Sequence, residues 1–193
     1  MELFSTCWDD DDKPYLQPLH DTPSHSEDGE CFCGAVDSSV LKQVLNDYDQ
    51  ETTDFYRWRE TYDREVLSSL IAERSGVDIG MLKALEPMER GCSGRIFKLK
   101  IVGSERTLIV GKELEIRRIL SKSHLKSSAF EVEYLASDGT NTSEDWSRIV
   151  LHGSGWGHGA GLCQIGAAVM ATEGYDYRQI LGHYYPDAAV EKE

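Results

Sequence analysis

Between Gly153 and Gly166 the chain reads Gly-Ser-Gly-Trp-Gly-His-Gly-Ala-Gly-Leu-Cys-Gln-Ile-Gly, and this stretch holds its most chemically suggestive side chains. Six glycines fall within fourteen residues, at positions 153, 155, 157, 159, 161 and 166, with Trp156, His158, Cys163 and Gln164 among them. Alternating glycine costs chain entropy and contributes nothing to a core. It suits a backbone that must come close to a ligand or to another strand. His158 precedes a helical pattern that starts near Leu162, and Cys163 falls in its first turn. The partial positive charge of a helix N-terminus keeps a nearby imidazole neutral and favours a thiolate or other anion, and its N–H groups can bind ligand oxygens. A packing loop whose histidine bonds a neighbouring carbonyl is the structural alternative. A thiol hydrolase using Cys163 with His158 is a further alternative, weakened because no third orienting residue is evident.

Elements on both sides must position this loop. Leu162, Ile165, Val169 and Met170 recur at helical spacing, with small residues between them and Gly174 as a stop. The spacing predicts a buried helix of about three turns. Upstream, Ser38–Leu45 reads as a short helix, Phe55–Arg59 as a strand, and Tyr62–Arg74 as a helix capped by Thr61 and stopped by Gly76. After Gly94 the pattern changes to strands: Ile96–Val102 pairs with Thr107–Val110 as a hairpin, Ala129–Leu135 alternates, and Arg148–Leu151 delivers the chain into the glycines. Short helices are expected around Leu114–Leu120 and Tyr177–Tyr184. The expected fold class is α+β, a mostly antiparallel sheet with flanking helices and a glycine-rich loop leading into a buried C-terminal helix.

The 193 residues carry a net charge of -14, with 40% hydrophobic and 28% charged residues, which are globular values. That charge argues against nucleic acid or an anionic membrane as partner and tolerates a neutral sugar polymer. No run approaches the roughly 18 apolar residues of a transmembrane helix, and no cationic-plus-apolar signal peptide opens the chain. Asp9–Asp12 reads as a solvated acidic turn, since four consecutive aspartates do not match a calcium-ligand spacing. Cys31 and Cys33 lie near His20 and His25, where free thiols, a zinc site, or a disulfide to Cys7 are all open. No cofactor is expected.

The glycine-histidine segment, extended through Ile165–Ala171, Gly174 and Ile180–Pro186, resembles the C-terminal signature of the stage II sporulation protein D (SpoIID)/LytB amidase-enhancer family. Arg90, Ser93–Ile96, Arg117–Ser121, Leu125–Phe130, Trp58, Cys7-Trp8 and Pro14–Leu16 fit the same pattern in order, so the resemblance covers nearly the whole chain. It implies one SpoIID/LytB-like domain over residues 1–193, with residues 1–36 a loop-rich lead-in and 37–193 a compact core. It also implies work outside the cytoplasmic membrane, with peptidoglycan glycan strands as partner and a cell-wall amidase or other envelope protein as a further one.

Sporulation members of that family resemble lytic transglycosylases, whose reaction needs a carboxylic acid to protonate the glycosidic oxygen. In the family this is a glutamate ahead of an alanine-rich helix. No such segment is found in this sequence, so no catalytic residue is assigned and the chain is expected to begin after it. The resemblance implies substrate-binding roles for Gly155, Trp156, Gly157, His158, Gly159, Gly161, Gln164 and Arg95. Trp156 would stack on a sugar face, Gln164 would bond hydroxyl or N-acetyl groups, and His158 would orient the glycan. Arg95 and Arg117 would contact the lactyl carboxylate, with plain ion pairing as the competing reading. Cys163 stands where serine is common in the family, and the thiol is a small isostere of it.

Overall fold

The computed structural model describes residues 1–7, 11–22, 31–34, 38–44 and 56–191. The expectations for Trp8, Asp9, Asp10, His25, Leu45 and Phe55 lie outside the described residues. In chain order the elements are α1 (Phe4–Cys7), α2 (Ser38–Val44), β1 (Arg57–Asp63), α3 (Arg64–Ser75), β2 (Leu82–Arg90), β3 (Ile96–Gly103), β4 (Thr107–Gly111), α4 (Glu113–Ile119), β5 (Phe130–Leu135), β6 (Arg148–Ser154), α5 (Gln164–Thr172) and α6 (Tyr177–Tyr184). No helix among them is long and apolar enough to cross a membrane. The fold is α+β, and the expected sheet is divided into two antiparallel three-stranded ones, ordered β1-β6-β5 and β2-β3-β4.

Polar side chains join the two sheets at buried points. The Tyr134 hydroxyl on β5 accepts from the Leu85 N–H at 2.9 Å and donates to the Leu85 carbonyl at 3.3 Å, tying β5 to β2. Arg64, at the start of α3, donates to the Leu82 carbonyl at 2.6 Å and lies over the Trp146 ring. Between these ties, Leu67, Ile71, Leu82, Ile96, Leu99 and Ile149 are among the fully buried residues of one core. A smaller apolar cluster of Phe32, Met170 and Tyr184 lies under the C-terminal helices.

Several features differ from the sequence reading. Thr61 and Tyr62 belong to β1, where they pair with Val150 and Ile149 of β6, and Asp63 takes the N-cap position of α3. Strand β2 was not foreseen. It contains Pro87, which cannot donate to a ladder, and it lies at a sheet edge with register irregularities beside that proline. The helix after the glycines, α5, spans nine residues and fully buries only Gly166 and Met170, so it is half-buried. The stop at Gly76 is as expected, with a left-handed φ of 71° closing α3.

Strand β6 is central in its sheet and carries the chain into the glycine segment. Gly153 lies opposite both Trp58 and Phe130, and a Cβ there would overlap the Trp58 indole. Two facing backbones and a large ring leave little room for relaxation. Gly153→Ala is expected to destabilise the fold by at least about 3 kcal/mol, measured by urea unfolding. Wild-type stability in that variant would show that the indole is free to move aside.

Candidate functional site

The loop leaving β6 alternates two kinds of residue. Gly155, Gly157, Gly159 and Gly161 all have positive φ, from 70° to 93°, which side-chain-bearing residues rarely adopt. Between them Trp156, 39% exposed, and His158 project to the surface. The carbonyls turn inward and are met by donors from distant parts of the chain. Trp58 Nε1 donates to the Gly155 carbonyl at 3.1 Å, Arg95 Nε to Gly157 at 3.1 Å, the Cys7 thiol to His158 at 3.2 Å, and the Glu2 backbone N–H to Gly159 at 2.8 Å. At Gly159 a Cβ would come within 2.5 Å of the Arg95 guanidinium carbon. The close approach that the glycine spacing signals is thus made, at Gly153 and Gly159, to the protein's own side chains.

Arg95 is only 8% exposed and lies beneath the loop. Besides Gly157 it donates to Ser93 Oγ at 3.0 Å, and that hydroxyl donates to Glu2 Oε2 at 2.6 Å. The Glu2 carboxylate also accepts from the backbone N–H groups of Cys92 and Ser93. Although its burial acts against the charge, these bonds hold Glu2 below the usual carboxylate range. Arg117 donates to the Leu125 carbonyl at 2.6 Å and pairs with Glu113 at 3.5 Å. Both arginines therefore have structural partners within the chain.

Sequence reasoning missed Glu2, Cys7, Ser93 and Glu113 as parts of this support. Glu113 is fully buried while its neighbour Leu114 is 45% exposed, the reverse of what residue type suggests. Its spacing of four from Arg117 on α4 is the signal that could have found it. Burial raises the Glu113 pKa, with Arg117 and Arg95 opposing. Burial, reinforced by Glu113, pushes the Cys7 thiol up to about 12, so Cys7 stays protonated and remains a donor.

His158 is exposed, and its Nδ1 accepts the Ala160 N–H at 3.1 Å, which puts the proton of the neutral ring on Nε2. Partial burial and the charges of Arg95 and Arg117 hold its pKa below the ordinary 6.5. The ring can present an N–H to an acceptor such as a sugar oxygen. Gln164 is exposed at the first turn of α5. A shallow groove of ≈ 180 Å³ lies next to the loop's start, lined by residues including Arg90, Ser93, Phe130, Glu131, His152 and Ser154.

Cys163 caps α5, its sulfur accepting the Gly166 N–H at 3.3 Å. A hydrogen bond from Cys33 lowers its pKa. Cys163 and His158 are held by bonds to different groups, Gly166 and Ala160. Cys33 lies between Cys163 and Cys31, whose sulfur is 2.8 Å away. The Cys33 and Cys163 sulfurs and an Asp21 carboxylate oxygen lie within 4.8 Å of one another. Cys7 instead lies against the loop carbonyl of His158.

Two pH measurements follow. Imidazole NMR is expected to show His158 titrating below 6.5, with the proton on Nε2 at neutral pH; a normal or raised midpoint would contradict the loop geometry. For Glu113, a folded-state pKa raised above the ordinary 4.5 gives a contribution that is full below 4.5 and lost as pH rises through the folded value. Relative to Glu113→Gln, the wild type is therefore expected to lose stability as pH rises past 4.5 and then to level off, in urea unfolding across a pH series. A flat difference would mean that Glu113 is not desolvated.

The family model described as Domain of unknown function (DUF8618) matches residues 2–161. The chain is 28% identical over 153 residues to Stage II sporulation protein D of Bacillus amyloliquefaciens, a span covering 79% of this chain and 38% of that relative. It is 32% identical over 87 residues to the Amidase enhancer of Bacillus subtilis (strain 168), covering 45% of this chain and 11% of that relative. The chain therefore spans well under two thirds of the length of either relative. On the match across residues 2–161 and these two relatives, the chain belongs to the family described as Domain of unknown function (DUF8618) and is SpoIID/LytB-like.

Proposed function

We propose that this chain is the glycan-binding part of a cell-wall remodelling protein, acting on peptidoglycan strands outside the cytoplasmic membrane. Together with a segment that supplies a general-acid glutamate, it takes part in lytic transglycosylase cleavage. The observation that carries this reading is the alternating loop. Its carbonyls are locked inward while Trp156 and His158 are held outward on a backbone with few side chains to block a bulky polymer. Trp156 offers an apolar face for a pyranose ring, and neutral His158 offers an Nε2 proton to a hydroxyl or N-acetyl oxygen. Gln164 extends the polar contacts from the start of α5. Gly155, Gly157, Gly159 and Gly161 admit the strand along the outer side of the loop. Arg95 acts from beneath as a positioning residue.

The relative named Amidase enhancer supports a second reading, in which the same surface engages a cell-wall amidase or another envelope protein without cleavage. Co-sedimentation with glycan strands stripped of stem peptides separates the two. Trp156→Ala is expected to weaken pelleting by about 3- to 10-fold, the worth of one aromatic stacking contact. Equal pelleting by the variant and the wild type would remove the loop from glycan recognition. Absence of pelleting, with a rise in the rate of an added amidase, would favour the second reading.

A further inference from the structure

The thiols of Cys33 and Cys163 come from two places far apart in the chain and meet beside Asp21 at the start of α5, and the Cys31 sulfur lies 2.8 Å from that of Cys33. We propose that Cys31, Cys33, Cys163 and Asp21 form a tetrahedral zinc site that fastens the N-terminal lead-in to the end of the glycine loop. Three sulfurs and one carboxylate oxygen are a donor set suited to this borderline-soft, redox-inert cation. With zinc–sulfur bonds of about 2.3 Å, the sulfurs of a tetrahedral site stand about 3.8 Å apart. The 4.8 Å cluster of Asp21, Cys33 and Cys163 needs only a small contraction, and the 2.8 Å Cys31–Cys33 pair needs to open by a comparable amount.

Outer contacts also fit a ligand set. The Asp21 Oδ1 atom accepts from the Tyr184 hydroxyl at 2.9 Å and lies 3.1 Å from His183 Nε2, so two residues of α6 fix the carboxylate's direction. Gly166 leaves space for that group, since a Cβ there would lie 2.8 Å from Asp21 Oδ2. The Gly166 N–H bond to the Cys163 sulfur supports a thiolate. Phe32, between the two lead-in cysteines, is 5% exposed and packs edge-on against Tyr175 and His183, which fixes the turn that presents both sulfurs. A disulfide would consume two of the three sulfurs and leave the third unmatched, whereas one zinc ion engages all three. Binding displaces the thiol protons, up to three per ion, into solvent. The sulfurs remain reduced throughout.

This site does not depend on glycan binding, and its test is independent of activity. The reduced full chain, supplied with zinc and dialysed, is expected to retain about one zinc ion per molecule by elemental mass spectrometry. Cobalt(II) in its place is expected to give a thiolate-to-metal charge-transfer band. Cys33→Ser and Cys163→Ser should each lose stoichiometric metal, while Cys92→Ser, whose thiol lies instead against Glu2, should keep it. Should a variant fail to fold, alkylation of the wild type serves: zinc should protect Cys31, Cys33 and Cys163 from iodoacetamide. Metal-free protein after reduction and zinc addition would overturn the proposal. So would wild-type metal content in both cysteine variants, or three thiols alkylated at the same rate with and without zinc.

Discussion

An inward-facing carbonyl must find a donor, and most of this structure around the loop follows from that requirement. By taking positive φ at every second residue, the loop turns the carbonyls of Gly155, Gly157, His158 and Gly159 toward the protein. An unmet buried acceptor costs about 1–3 kcal/mol, so four of them would strain the stability of a domain this size. The donors are a tryptophan on β1, an arginine ahead of β3, and a cysteine and a backbone N–H from the first seven residues. The start of the loop-rich lead-in is here part of the loop's foundation.

One of those donors, Arg95, carries charge, and the charge around it is balanced locally. Arg95 reaches Glu2 through the Ser93 hydroxyl, and Arg117 pairs with Glu113 on α4. Buried ions of this kind are costly to leave unpaired, which makes the group a unit whose members stand or fall together. Together with partial burial, the same two arginines lower the pKa of His158. Support of the backbone and tuning of the ring are therefore one device. On the other flank, Cys163 and Gly166 connect the loop's far end to Asp21 and α6, so the exposed residues are braced from two independent directions.

Much of the fold could be read locally. The β3–β4 hairpin, β5, the Gly76 stop and the Asp176-capped α6 follow from alternation, turn residues and helical spacing within a few positions. Strand β2 could not be, because Pro87 and a weak alternation contradict strand character that only its pairing with β3 supplies. Thr61 has the side chain of a helix cap, yet the ladder with β6 holds it in β1. On α4 the apolar pattern nominates Leu114 for the interior, where Glu113 is found, because an arginine pair on the core side outweighs the hydropathy of one residue.

Residue types alone mark 153–166 as a special loop entering a helix, since no other segment concentrates glycine, histidine and tryptophan so closely. The sequence also carried the SpoIID/LytB-like likeness, because ordered motifs survive as a one-dimensional pattern. What the glycines approach, and which arginines are already engaged, became visible in the folded structure. It alone brought Cys33 and Cys163 together at Asp21, with Cys31 against Cys33. Those facts are set by contacts between residues up to about 150 positions apart, and a distance in space of that kind leaves no periodicity for the sequence to display.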